Sequence, residues 1–190
     1  MAHVSRNGRD FVNCENRDEM TLDLVERLAR ARIGATHNQY ADSEVRCARL
    51  RRHLASRTDA SIVLVGEAAG YRGARVSGVP FTSERQLTGS GPAEATATIV
   101  HRVLAELGIE DDVLLWNVVP THPGTATSNR RPTRVEVAAA RPFLDEVTDG
   151  RRVIAVGLLA AEVLGAPYVR HPAHGGARAF AVGLERTLGA

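Results

Sequence analysis

Apolar and polar positions along this chain follow a helical period first and a strand-like pattern afterwards. Leu22, Val25, Leu28, Ala29 and Ile33 recur at three- and four-residue steps, the spacing that gathers one face of a helix. Asp23 and Glu26 come early and Arg30 and Arg32 late, the order that a helix dipole favours. A turn over 34–42 follows, then a second amphipathic stretch from Ser43 to Ala55. Beyond it, short continuous apolar runs take over at 61–66, 113–119 and 152–156, with a shorter one at 168–170. Runs of this length read as strands buried on both faces. Helical stretches separate them at 93–107, 134–145 and 158–164. Thr133 with Glu136 three residues later makes a capping box, and Gly108 and Gly165 supply C-terminal stops.

Strands alternating with helices predict an α/β fold: a three-layer α/β/α sandwich around a short, mainly parallel four-stranded sheet, with extra N-terminal helices. The whole of 1–190 reads as one domain, with a flexible polar arm at 1–18, a helical pair at 19–57 and the α/β core at 58–190. In such sheets ligands bind beyond the carboxyl ends of the strands. That rule singles out three segments, Gly66–Tyr71, Asn117–His122 and His171–Gly176, each following a predicted strand.

Composition narrows the chemistry. Hydrophobic residues make up 44% and charged ones 24%, as in an ordinary soluble domain. All 24 basic residues are Arg, against 22 acidic ones. Arg binds phosphate bidentately and stacks on bases, so the usage suits a nucleic-acid partner, though a GC-rich coding sequence would produce it too. With a formal charge of only +2, any DNA-facing basic patch must be local. The two cysteines, Cys14 and Cys47, lie outside the three segments and cannot build a four-thiolate zinc or iron–sulfur site. The expectation is therefore no metal and no cofactor. The polar stretch Met1–Asp10 and the lack of any apolar run near ~18 residues predict a cytoplasmic protein without a membrane partner.

The turn Val65-Gly66-Glu67-Ala68-Ala69-Gly70-Tyr71-Arg72-Gly73 has no Lys after its glycines and fits neither a phosphate loop nor a dinucleotide fingerprint. Together with Gly78-Val79-Pro80-Phe81 it resembles the first motif of the uracil-DNA glycosylase superfamily, a Gly-Glu-x-Pro-Gly-type turn leading to Gly-x-Pro-Phe. Leu115-Trp116-Asn117-Val118-Val119-Pro120 resembles that family's strand ending in a base-reading Asn. Asn129-Arg130-Arg131-Pro132-Thr133 and Ala140-Arg141-Pro142-Phe143-Leu144 resemble stretches of its iron–sulfur branch, with Ala140 where that branch has Cys. His171-Pro172-Ala173-His174-Gly175-Gly176 resembles the loop that carries the catalytic His. The resemblance covers 61–176 and implies a cluster-free relative of the iron–sulfur branch. It would act, as a monomer, on uracil-containing DNA and release free uracil.

Hydrolysing the glycosidic bond of uracil requires a base turned out of the stack, a flat wall to hold it and an amide to read its edge. It also requires a donor for the departing anion and access for water. The resemblance implies Phe81 as the wall, where the residues alone also allow a loop anchor. It implies Asn117 as the uracil reader, where a loop cap is the other reading, and His171 as the catalytic donor. Glu67 is either the water activator or a brace for its loop. Gly66, Ala68 and Gly70 complete the uracil site, and Pro172, His174, Gly175 and Arg178 would face DNA, with Gly175 and Gly176 allowing backbone to approach phosphate.

Three positions depart from the family pattern. Ala68 stands where the best-known branch has a water-positioning Asp. Gly70 stands where that branch has a Tyr excluding the thymine methyl. Ala69 replaces a usual Pro, so a looser turn is expected. These departures keep open a different base, such as hypoxanthine or mismatched thymine, and a non-catalytic binder of uracil-containing or abasic DNA. His122 is a further polar residue at this rim without an assigned role.

Overall fold

The computed structural model describes residues 23–189; the arm expected at 1–18, Cys14 and Leu22 lie outside the described residues. Four strands, β1 (Ile62–Ala68), β2 (Val113–Val119), β3 (Arg152–Val156) and β4 (Tyr168–Val169), pair in parallel in the order β2-β1-β3-β4. The helices are α1 (described over 23–30), α2 (Glu44–Ala55), α3 (Ala74–Ser77), α4 (Glu84–Thr88), α5 (Ala95–Glu106), α6 (Arg134–Thr148), α7 (Leu158–Leu164) and α8 (Ala177–Leu188).

Side chains alternate across a strand, and both faces of this sheet are buried. Val63, Val65, Leu114 and Trp116 point to one side, where α1, α2, α6 and α7 close a core. Leu64, Val113, Leu115, Ile154 and Val156 point to the other, where α5 and α8 close a second. The α/β/α sandwich expected from the pattern is the fold the chain adopts.

Local differences have physical reasons. Strand β1 runs two residues further than its apolar run, because Gly66 pairs with Asn117 and Ala68 with Val119. Backbone pairing, not side-chain hydrophobicity, extends it. Helix α6 continues past Pro142, which cannot donate to the carbonyl of Ala138. Both residues are exposed, so that carbonyl is not sealed in the core without a partner. Helix α8 was not foreseen: Phe180 and Leu184 are its buried anchors, but Gly183 between them hides the period. Helices α3 and α4 are single turns too short to show one.

The N-terminal helical pair is tied to the segment that reaches the site. Tyr40 donates its hydroxyl to the carbonyl of Gly78 at 3.0 Å, and Arg46 Nε donates to that of Val76 at 3.0 Å. Arg49 grips Glu84 with two bonds of 2.8 and 2.9 Å. The stretch 76–84 is thereby fixed at both ends.

A second anchor is Glu136, only 1% exposed at the start of α6. Its carboxylate accepts from Thr133 N–H at 2.8 Å, completing the capping box, and takes both Arg130 nitrogens at 2.5 and 2.8 Å. The Arg130 bonds hold the Glu136 carboxyl at about 2, well below its ordinary 4.5. Because the folded value lies below the unfolded one, this stabilisation is complete above about pH 4.5 and is lost as pH falls toward 2. Glu136→Ala should cost about 2–3 kcal/mol, from the lost cap and charge-assisted bonds. Urea titrations at pH 7 and pH 3 check this. The gap between wild type and variant should shrink at pH 3, and a gap that stays constant would refute the account.

Candidate active site

The alternation that sends Leu64 and Leu115 to one face carries Gly66 and Asn117 to that same face two residues later. There they meet Phe81. A side-chain carbon on Gly66 would run into the Phe81 ring and lie 2.8 Å from Asn117 Oδ1. Glycine is required here by close approach, and Gly66 contributes its bareness rather than a wall.

Around this point opens a cavity of about 410 Å³, the size of small-molecule sites. Glu67, Ala68, Gly70, Phe81, Asn117, His171 and His174 all line it. The structure thus brings together residues as far apart in sequence as Glu67 and His174. Pro172 is buried and off the cavity, while Gly175 and Arg178 are exposed and off it as well.

Phe81 has φ 52°, a left-handed conformation that a bulky residue adopts only under constraint. Its neighbours supply that constraint. Ser77 Oγ donates to the carbonyl of Thr82 at 2.6 Å and accepts from Val79 N–H at 3.0 Å, and Thr82 Oγ1 donates to that of Pro80 at 3.1 Å. The ring is 7% exposed and forms part of one core as well as the cavity wall. The two sequence readings, anchor and wall, both hold geometrically.

Asn117 sits inside β2, not after it, and is 4% exposed. Buried amides are nearly always hydrogen-bonded. This one makes no bond to any described residue and opens on the cavity, which leaves a donor and an acceptor free for a ligand. His171 is half-buried, and burial pushes its imidazole below the usual value, with His174 adding in the same direction. Its Nδ1 accepts from Ala173 N–H at 3.2 Å, which places the proton of the neutral ring on Nε2. Gly176 packs against the carbonyl of His171, and Gly175 has φ 75°. These glycines shape the loop itself.

Burial also raises the Glu67 carboxyl, with Arg131 opposing the effect. The turn after it is not loose. Ala69 donates its N–H to the carbonyl of Val119 at 3.3 Å, a bond that Pro could not make. The carbonyl of Ala69 is met by His122 Nδ1 at 2.7 Å. His122 is fully buried, its Nε2 lying 2.7 Å from the carbonyl of Thr125, so it is a strut beneath the rim. Tyr71 N–H donates to Asn129 Oδ1 at 2.9 Å, fastening the far side of the turn.

Sequence reasoning overlooked Glu94, Thr96, Asn129 and Arg130 as cavity residues. Glu94 reads as an ordinary acidic residue at a helix start; only the paired glycines at 70 and 73 hinted that something must fill the space beside them.

Residues 54–184, well over half of the chain, match the Uracil DNA glycosylase superfamily, and the chain belongs to it. Wild-type SMUG2 from Pedobacter heparinus has a similar crystal structure, with a TM-score of 0.64 at 11% identity over 90% of this chain and 99% of that one. At that identity the likeness is one of fold. Wild-type UNG from Nitratifractor salsuginis aligns over 94% of this chain and 93% of its own, with 17% identity and a TM-score of 0.45. No curated protein matches the sequence.

The iron–sulfur cluster of one branch does not fit these residues. Ala140 is buried where that branch carries Cys, and the Cys47 thiol is already committed to the carbonyl of Tyr40 at 3.3 Å.

Gly66→Ala should destabilise the protein by about 1–3 kcal/mol, the usual range for forcing a methyl into a packed site. It should also displace the Phe81 ring. Thermal unfolding together with the aromatic proton shifts of Phe81 checks both; unchanged stability with an unshifted ring would contradict the close approach.

Proposed function

We propose that this protein is a monofunctional DNA glycosylase that hydrolyses the N-glycosidic bond of a flipped-out uracil and leaves an abasic site. The observation that carries the reading is the tautomer of His171. Its Nδ1 is occupied by the backbone, so Nε2–H is the group free to donate, and burial keeps the ring neutral near pH 7.

The chemistry then follows the cavity. Uracil stacks on Phe81, and the free amide of Asn117 donates to O4 and accepts from N3–H. As the C1′–N1 bond breaks, its electron pair leaves with the base, and charge develops on O2. His171 Nε2–H meets that charge. Water adds to C1′ from the other side and loses its proton to a carboxylate or to solvent. A donor that acts only on developing charge lowers the barrier without tightening ground-state binding. His174, Gly175 and Arg178, all exposed, are proposed to face the DNA backbone around the flipped nucleotide, while Pro172, buried, serves to hold their loop. His174 lines the cavity and has φ 52°, a left-handed conformation at the turn of that loop.

A uracil-containing oligonucleotide, incubated with protein in EDTA and then treated with alkali, tests this reading. Strand cleavage supports it; an intact strand overturns it, and a gel shift alongside the intact strand would make the protein a binder instead. Among variants, His171→Ala should slow single-turnover excision by about 10²–10³-fold, as loss of an anion-stabilising donor does. Glu67→Gln should slow it less, since bond breaking with a well-stabilised leaving group depends little on activating water. If Glu67→Gln is the more damaged of the two folded variants, the leaving-group account fails.

A further inference from the structure

Glu94 immediately precedes α5, yet its side chain does not cap that helix. It reaches instead over the turn at Gly70 and Gly73. A side-chain carbon at Gly70 would strike one carboxylate oxygen of Glu94, and one at Gly73 would strike the other. Gly70 has no positive φ that would demand Gly for conformational reasons. Gly73, at φ −100° and ψ −117°, lies outside the regions that side-chain-bearing residues favour and has a backbone reason of its own. The space that two side chains would occupy is held open for this carboxylate.

The carboxylate makes no hydrogen bond or ion pair with any described residue. Burial pushes its pKa up, and no neighbouring charge acts on it. An acceptor left unpaired in a partly buried site is costly unless a ligand or water serves it, and such groups concentrate at functional sites. Glu94 lines the same cavity as Phe81, Asn117 and His171.

We infer that Glu94 is a base-selectivity residue, whose carboxylate forms the wall in front of Gly70 and excludes bases bearing an apolar substituent on the edge turned toward it. The inference rests on the glycosylase reading above. With one face of a bound base on Phe81 and one edge on Asn117, another edge is left for this wall. A C–H edge, a bridging water or a hydrogen-bond donor leaves the carboxylate solvated. A methyl group strips its remaining hydration and returns nothing. The substrate class is therefore pyrimidines unsubstituted at that edge, with 5-methylpyrimidines such as thymine rejected by Glu94 rather than by a bulky side chain at residue 70.

The test compares single-turnover excision of uracil and of thymine, each opposite guanine in the same duplex, by wild type, Glu94→Ala and Glu94→Gln. Glu94→Ala should lower the uracil-to-thymine preference by at least about tenfold, the lower range for a methyl-sized discrimination. Glu94→Gln, which fills the same space with a polar group, should stay within about threefold of wild type on that scale. Gly70→Ala is a second probe, because its methyl group displaces the carboxylate without removing it; the same loss of preference is expected, and it decides the matter if Glu94→Ala does not fold. A preference unchanged within about twofold in these variants overturns the inference. Wild-type protein that removes no uracil at all instead fails the underlying glycosylase reading, so the two failures are distinguishable.

Discussion

At Gly66 the ring edge of Phe81 and the amide oxygen of Asn117 approach the β1 backbone from the same side, leaving no room for a methyl group between them. The parallel register that sets Gly66 beside Asn117 fixes one partner, and the loop after α3 delivers the other. A slip of one residue in that register would turn Asn117 toward the opposite core. The cavity therefore depends on strand pairing buried on both faces, which is rigid, rather than on loops alone. That is the demand a site must meet if it is to hold a planar base within tenths of an ångström.

The cost of this arrangement is concentrated at Phe81. A non-glycine residue in the left-handed region stores about 1–3 kcal/mol. Each flanking hydrogen bond contributes about 0.5–1.5 kcal/mol net, and three of the Ser77 and Thr82 bonds brace the loop from within, with Tyr40 acting from the turn between the N-terminal helices and Arg49 from α2. The bracing outweighs the strain, so the ring is held ready rather than ordered by its ligand. It also gives the helices outside the family resemblance a definite job: they stiffen the loop that carries the wall.

The layering was legible because its signals are local and repeated. Apolar runs marked all four strands, and the Thr133–Glu136 box fixed the start of α6. The gathering of Glu67, Asn117 and His171 at one rim was expected because each segment follows a strand in an α/β sheet, while Phe81 was placed with them by the family resemblance. What stayed hidden depends on pairs distant in sequence. Nothing near Ala69 announces that Val119 and His122 pin its turn, and nothing near Glu94 announces Gly70. Helix α8 was concealed by one glycine. The run 113–119 was read with the bounds of β2, and Asn117, taken as the start of a segment at the strand's end, lies within it because backbone pairing continues past the polar side chain.

The central claim is that the space above Gly66 is a base pocket, with Phe81, Asn117 and His171 acting on one ligand. Titrating isotope-labelled protein with free uracil, and following the Asn117 side-chain amide and the His171 ring nitrogens by NMR, tests it most directly. Both sets of signals should move together along a single binding curve, with Nε2 of His171 remaining the protonated nitrogen. Uracil that moves neither, or that perturbs only residues away from the cavity, would contradict the account.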